Sequence, residues 1–313
     1  MKGAKQTTLR DQIALSGIGV HSGRPVTLTL NPADDDAGIV FQRIAADGSI
    51  EREIRADVRA VTATEFATVL GDAEGPLCST AEHLLAALRG LNVDNVVVEI
   101  DGPEVPIMDG SAAPFVDAID QAGLTMRALP RRYIEVLKPV RVEKNGAFGE
   151  LRPYEHGFRV EAEIQFDHPL IGRQELALDI GPETFRTEIA RARTFGFMKD
   201  VAKLWSAGYA LGASFENTLV VTEDRVLNPE GLRFADEFVR HKVLDAIGDL
   251  GLLGMPLIGK VSLERSGHAL HTQLVRALLS DPRNYQVVEP TSELAREAVL
   301  GEGGVPVFEP VTA

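Results

Sequence analysis

The 313-residue sequence contains one cysteine, Cys78. A single thiol excludes an intrachain disulfide and a cysteine-rich zinc finger. Nothing in the chain therefore calls for an oxidising compartment. Basic residues are in deficit: 32 Lys and Arg stand against 46 Asp and Glu, a formal net charge of −14. Nucleic-acid binding needs a basic footprint, which this balance argues against. Any anionic ligand must then be met by a local basic spot. No run approaches the roughly 18 apolar residues of a membrane-spanning helix. The opening Met1-Lys2-Gly3-Ala4-Lys5-Gln6-Thr7-Thr8 lacks the apolar core of a signal peptide. The expected location is the cytoplasm. What is present is ordinary for a soluble globular protein: 44% hydrophobic and 25% charged residues. The length suffices for a sizeable core and two domains.

Residues 7–70 read mainly as strands, alternating at 25–30 and 38–42 and punctuated by Gly, Asp and Pro. Ser79 and Glu82 have capping-box spacing, which predicts a helix opening at Ser79, carrying Leu84, Leu85 and Leu88, and ending at Gly90. A strand at 95–100 follows, then a helix capped by Ser111 that includes Phe115, Val116 and Ile119 and stops near Gly123. Arg131-Arg132, after a proline, marks a boundary. Strands return at 133–180. A helix is expected from Pro182 toward Arg193, a short amphipathic segment at 198–206 and a strand at 218–222. A strong helix at 234–250, a strand at 260–265 and a last helix at 268–279 complete the pattern. The tail after Leu300 is Gly/Pro-rich and expected to be loose. Both halves thus run strands, helix, strand, helix. The expected fold class is α+β: two similar domains, 1–130 and 131–313, each a β-sheet layered on a helix pair and related by duplication.

His241 and Asp245 lie four apart on the helix at 234–250, one turn apart on one face, and Asp249 continues the stripe. Val239, Val243, Ala246, Ile247 and Leu250 fall opposite and face a core. Taken alone, the polar stripe reads as a solvated helix face. A catalytic zinc, however, takes three protein ligands of the His or carboxylate type and keeps one position open, and this helix can supply two. Glu82-His83 is the natural source of the rest, with Glu82 either closing a capping box or serving as a general base. His83 is either a ligand or a surface histidine at a helix start. His268 begins the last helix, where the positive dipole end favours the neutral imidazole. Arg193-Thr194-Phe195-Gly196-Phe197 is either a turn flanked by core phenylalanines or part of a site.

Five strings decide among these alternatives: Ser16-Gly17-Ile18-Gly19-Val20-His21-Ser22-Gly23, Ser79-Thr80-Ala81-Glu82-His83-Leu84-Leu85-Ala86-Ala87-Leu88, Arg193-Thr194-Phe195-Gly196-Phe197, the helix string from Phe238 to Leu250 with His241-Lys242 and Asp245, and Ser266-Gly267-His268-Ala269-Leu270. Over residues 6–280 the chain resembles the family of UDP-3-O-acyl-N-acetylglucosamine deacetylases. The resemblance implies an active site in the cleft between the halves and one catalytic zinc ion on His83, His241 and Asp245, ligand types that ferrous iron also accepts. It implies Glu82 as general base, His268 as general acid or electrostatic partner of the oxyanion, Thr194 as oxyanion donor, and Asp249 as the carboxylate orienting His268. Lys242 would meet the substrate. Phe195, Phe197, Leu204 and the segment 198–222 would line a passage for the acyl chain, and Phe166 would stack on the uracil. Two positions depart from the family: His271 stands where Asn is usual, and Ala147 where some members carry a basic residue near the nucleotide.

The implied partner is an acylated UDP-amino sugar, and the implied reaction is hydrolysis of its acetamide, the committed step toward lipid A. Two other readings fit the residues: a non-catalytic binder of acylated nucleotide sugars, and a metal-free acid–base enzyme using Glu82 and His268. Acyl-chain length and oligomeric state are not written in the sequence.

Overall fold

The structure, a computed structural model, describes residues 4–289. The Gly/Pro-rich tail after Leu300 lies outside the described residues. The first sheet is built from β1 (Ile13–Ile18), β2 (Pro25–Pro32), β3 (Ile39–Ile44), β4 (Ile50–Arg55) and β5 (Val96–Ile100), with α1 (Glu82–Gly90) before β5 and α2 (Ala113–Ala122) after it. The second uses β6 (Val140–Lys144), β7 (Ala147–Arg152), β8 (Phe158–Gln165), β9 (Arg173–Asp179) and β10 (Leu257–Glu264), with α3 (Glu237–Leu250) before β10 and α4 (His268–Leu279) after it.

The two sheets share one topology. In the first, β5 sits between β2, antiparallel, and β3, parallel, with β1 and β4 pairing antiparallel outside them. In the second, β10 sits between β7, antiparallel, and β8, parallel, with β6 and β9 outside. The duplication expected from the element order is therefore present in pairing and direction. The second sheet is extended: β10 also pairs with Tyr133–Val136, which pairs with Tyr285–Val288.

The strands follow their period-2 pattern. In β2, Val26, Leu28 and Leu30 are buried while the threonines between them face the other side. In β8, Val160, Ala162 and Ile164 point inward, and outward-facing Glu163 pairs with Arg173 on β9. The helices of both halves meet in the middle, α1 running against α3 and α3 against α4. This contact explains why α3 is buried on all sides, with Glu237, His241, Asp245 and Asp249 inaccessible alongside Val239, Val243, Ala246 and Leu250. The polar stripe of α3 is not a solvated face.

Three local expectations are corrected. Helix α1 starts at Glu82, not Ser79, and its N-cap residue Ala81 makes no side-chain capping bond. Thr80, at φ +58°, turns the chain, and Ser79 pairs instead with the extended segment at Glu104. The capping box cannot form, and the Glu82 carboxylate turns inward. Helix α2 begins at Ala113, although Ser111 Oγ still accepts the Ala113 N–H at 3.2 Å. The helix expected from Pro182 toward Arg193 is one α-helical turn, Pro182–Thr184, widening into a π turn at Phe185–Ile189. Its end is fixed by the Ala190 carbonyl, which accepts the Ala112 N–H. Arg131, beside the expected boundary, is buried, and its guanidinium donates to Asp94 and to the Asn92 carbonyl.

Candidate metal centre and active site

Helix α3 brings His241 and Asp245 together, as the four-residue spacing predicts, and α1 adds His83 from the other half. Asp245 Oδ1 lies 3.4 Å from His241 Nε2 and 3.5 Å from His83 Nε2. The potential ligand atoms all fall within 4.8 Å of one another, and the three residues are buried. The two separations exceed a good N–H···O hydrogen bond. They match the edge of a tetrahedron of donors about 2.0–2.1 Å from a central ion, which is roughly 3.3–3.4 Å. His241 donates its Nδ1–H to the Ala192 carbonyl at 3.0 Å, which leaves the Nε2 lone pair facing inward. Burial pulls the His241 pKa down to about 3, so the ring is neutral, the form a metal requires. Burial opposes ionisation of Asp245, but the neighbouring His241, the Lys242 ammonium and the nearby His83 ring outweigh it and hold the carboxyl well below its ordinary range. His83 Nδ1 is buried without a hydrogen-bond partner among the described residues. Two inward-facing imidazoles and one carboxylate are a donor set that fits a divalent metal.

Beside this cluster sits a second group of titratable side chains. Glu82, first residue of α1, is buried, and its Oε2 accepts the Thr68 N–H at 3.0 Å. Its Oε1 lies 3.8 Å from His268 Nε2. Burial raises the Glu82 pKa, with His268 and His83 acting against it. His268 donates its Nδ1–H to Asp249 Oδ2 at 2.7 Å. Burial and the helix dipole favour the neutral imidazole, yet the carboxylates of Asp249 and Glu82 prevail and push its pKa up to about 10. Asp249 is fully buried and ionised: burial opposes the charge, and His268 and His271 more than offset it. Its Oδ1 accepts the Thr68 hydroxyl at 2.5 Å.

Phenylalanines form the wall on the α3 side. Phe195 lies 6.3 Å from the His241 ring and 5.0 Å from Phe238. Phe166 packs on Phe195 at 5.7 Å and on Phe197 at 5.9 Å. Thr194 precedes Phe195, with its backbone fixed between the Gly110 carbonyl and the Leu219 N–H. Two residues earlier stands the Ala192 carbonyl that orients His241, so the segment from 192 to 195 runs along the His83–His241–Asp245 cluster. Lys242 points its ammonium at Asp245 Oδ2, 2.7 Å away, and lies 5.7 Å from the centre of the Phe195 ring.

Leu204, half-buried, sits on the short helix Val201–Ser206. The stretch 198–215 around it leaves Met198, Trp205, Leu211 and Phe215 exposed. It is tied to the first half by Leu211 N–H to the His21 carbonyl and Gly212 N–H to Val20, and by Tyr209 packing on His21 and Phe66. Ala147 opens β7 at the hairpin with β6.

The structure thus gathers His83, His241, Asp245, Glu82, His268 and Asp249 into one buried constellation, with Thr194, Phe195 and Lys242 along its edge. The sequence reading missed Thr68, which contacts both Glu82 and Asp249. No local motif marks it, because its partners are 14 and 181 residues away. It flagged His271 only as a departure, whereas the ring is buried against Asp249. It also missed Glu237, which fixes the 192–195 segment by accepting from the Arg193 backbone and guanidinium.

The family described as UDP-3-O-acyl N-acetylglycosamine deacetylase matches residues 6–280. A protein from Brucella ovis named UDP-3-O-acyl-N-acetylglucosamine deacetylase is 51% identical over 287 residues, covering 91% of this chain and 99% of its own length. A protein of the same name from Brucella melitensis biotype 2 is also 51% identical over 287 residues, with the same coverage. Identity of this extent across nearly the whole of both chains, added to a family match that spans every residue of the buried constellation, leads to one conclusion: the chain belongs to the UDP-3-O-acyl N-acetylglycosamine deacetylase family.

Proposed function

We propose that this protein hydrolyses the acetamide of a UDP-3-O-acyl-N-acetylglucosamine, releasing acetate and the free 2-amino sugar nucleotide, the committed step toward lipid A. The observation that carries the reading is the spacing of His83, His241 and Asp245 at the edge length of a tetrahedral metal site, directly beside the Glu82–His268 pair. In this reading those three residues hold one zinc ion. When bound there, a divalent metal makes a water more acidic, lowering its pKa from about 15.7 toward about 7, and polarises the amide carbonyl.

The chain's own residues supply the rest. Glu82 Oε2 is occupied by the Thr68 N–H, so Oε1 is the oxygen that takes a proton from the attacking water. Its raised pKa makes it a stronger base than an exposed carboxylate. His268 has Nδ1 committed to Asp249, so its Nε2–H is the proton delivered to the leaving amine. Thr194 donates to the developing oxyanion, the kind of contact that usually gives the largest electrostatic gain. Lys242 meets the substrate from the Phe195 side. Phe195, Phe197, Leu204 and the segment 198–222 receive the acyl chain, and Phe166 receives the uracil ring.

We further propose that the chain divides into domains at 1–130 and 131–313, which the two repeated sheets support. A cytoplasmic location fits the single, buried cysteine. Among the described residues, no helix is long and apolar enough to cross a membrane.

The deciding experiment is a metal assay on the purified protein together with acetate release from the acylated UDP-sugar. Stoichiometric zinc and acetate release that is lost on chelation are expected. Binding without acetate release would turn the protein into a carrier of acylated nucleotide sugars. Full activity after the metal is stripped would leave Glu82 and His268 as a metal-free acid–base pair.

A further inference from the structure

We propose that His271 is a positioning residue for the Asp249–His268 pair: its imidazole shares the carboxylate oxygen that holds His268 and ties it to the turn that begins α4. The inference rests on the deacetylase reading for the task of His268, and on geometry alone for the coupling between the two rings.

Asp249 Oδ2 accepts Nδ1–H from His268 at 2.7 Å and from His271 at 2.8 Å. The two histidines are three apart on α4 and so project from the same face; their ring centres are 6.4 Å apart. Asp249 Oδ1 is already taken by the Thr68 hydroxyl. Each donor on a carboxylate oxygen draws charge from it, so an oxygen shared by two imidazoles holds each less strongly than it would hold one. His271 is 1% exposed and has no open face toward a substrate. It acts through Asp249.

The far side of the ring has a second task. His271 Nε2 lies 2.8 Å from Ser266 Oγ. Ser266 stands two residues before His268, next to Arg265 in a left-handed conformation at φ +50°. One rigid ring therefore spans from the end of α3 to the turn that sets the start of α4. An asparagine at 271 would place an amide N–H as many bonds from Cα as His Nδ1 and keep the bond to Asp249. It would have nothing to reach Ser266. The other charged or titratable groups around the pair are Glu82 on α1, Asp245 and Lys242 on α3, and His21 on the loop after β1.

The test uses the zinc-loaded full-length enzyme and two variants, His271→Leu and His271→Asn. Removing the donor frees charge on Asp249 Oδ2 for His268. His271→Leu should therefore raise both the basic limb of the kcat/KM profile and the His268 imidazole titration followed by NMR, by about half to one pH unit. Zinc content should not change. His271→Asn should keep both values near those of the parent. In the parent, both Nδ1 protons should appear as separate, slowly exchanging downfield NMR signals. If His271→Leu does not fold, those parent signals decide: absence of the His271 Nδ1 proton overturns the proposal. An unmoved or lowered His268 titration in folded His271→Leu overturns it as well. If the parent releases no acetate, the deacetylase reading fails, while the NMR titration still reports whether His271 and His268 are coupled.

Discussion

Gly248 on α3 lies against the backbone of Glu82 on α1, so closely that a Cβ at position 248 would stand 2.0 Å from the Glu82 carbonyl oxygen. No side chain fits there. Glycine is the residue that lets the helices of the two halves touch backbone to backbone. The contact lies between Asp245 and Asp249 on one helix and next to His83 on the other. It therefore sets the separation of the proposed ligands contributed by the two halves.

Gly248→Ala is expected to push α1 away from α3. The obstacle is a backbone atom rather than a flexible side-chain end, so the cost should be at the upper end of the roughly 1–3 kcal/mol typical of overpacking. Thermal unfolding should show a lower Tm, and the purified protein should retain less zinc than the parent. An unchanged Tm with full zinc would show that the helices have slack at this contact.

His241→Ala removes one donor from the proposed metal set and leaves the Ala192 carbonyl without its N–H partner. Metal content and acetate release should fall together, the latter by at least about 100-fold, the upper range seen for residues that support a metal site. Elemental analysis alongside turnover checks this. Full occupancy with normal turnover would remove His241 from the ligand set.

The acyl chain should carry much of the substrate's binding energy. Burial against Phe195, Phe197, Val201, Leu204 and Leu211 is worth about 0.8 kcal/mol per methylene, roughly fourfold in affinity for each. A UDP-N-acetylglucosamine without the acyl group should therefore lose several orders of magnitude in kcat/KM. Equal efficiency for the two compounds would mean that the 198–222 segment does not line an acyl passage.

Proton traffic should give a bell-shaped pH profile, with Glu82 needed ionised and His268 needed protonated. Asp249 holds the His268 imidazolium, so Asp249→Asn should lower the His268 pKa and move the basic limb to lower pH. The same shift bears on stability. His268, with its folded pKa raised to about 10, stabilises the fold fully below its unfolded value of about 6.5 and loses that contribution as pH rises through about 10. Denaturant titration between about pH 6 and 10 should show parent stability falling with pH and a flatter curve for Asp249→Asn. Parallel curves for the two proteins would separate His268 from Asp249.

By itself the sequence determined the element order, the repeated strand–helix pattern and the i,i+4 placement of His241 and Asp245. It could do so because these depend on local periodicity: the alternation of Val26, Leu28 and Leu30, and the one-turn stagger on α3. The five recognised strings likewise marked Glu82, His83 and His268 without any coordinates. Tertiary structure alone decided the rest. It turned the polar face of α3 inward, because α1 and α4 pack on that face and remove it from water. It withdrew Glu82 from a capping box and gave it to Thr68, because Thr80 turns the chain just before the helix. It also placed Thr68 and His271 on Asp249, contacts that span 181 and 22 residues of chain. The physical reason is range. A helix or strand is written in neighbours two to four residues apart, whereas the charge state of a buried carboxylate depends on donors that only the packing of distant elements brings within hydrogen-bond reach.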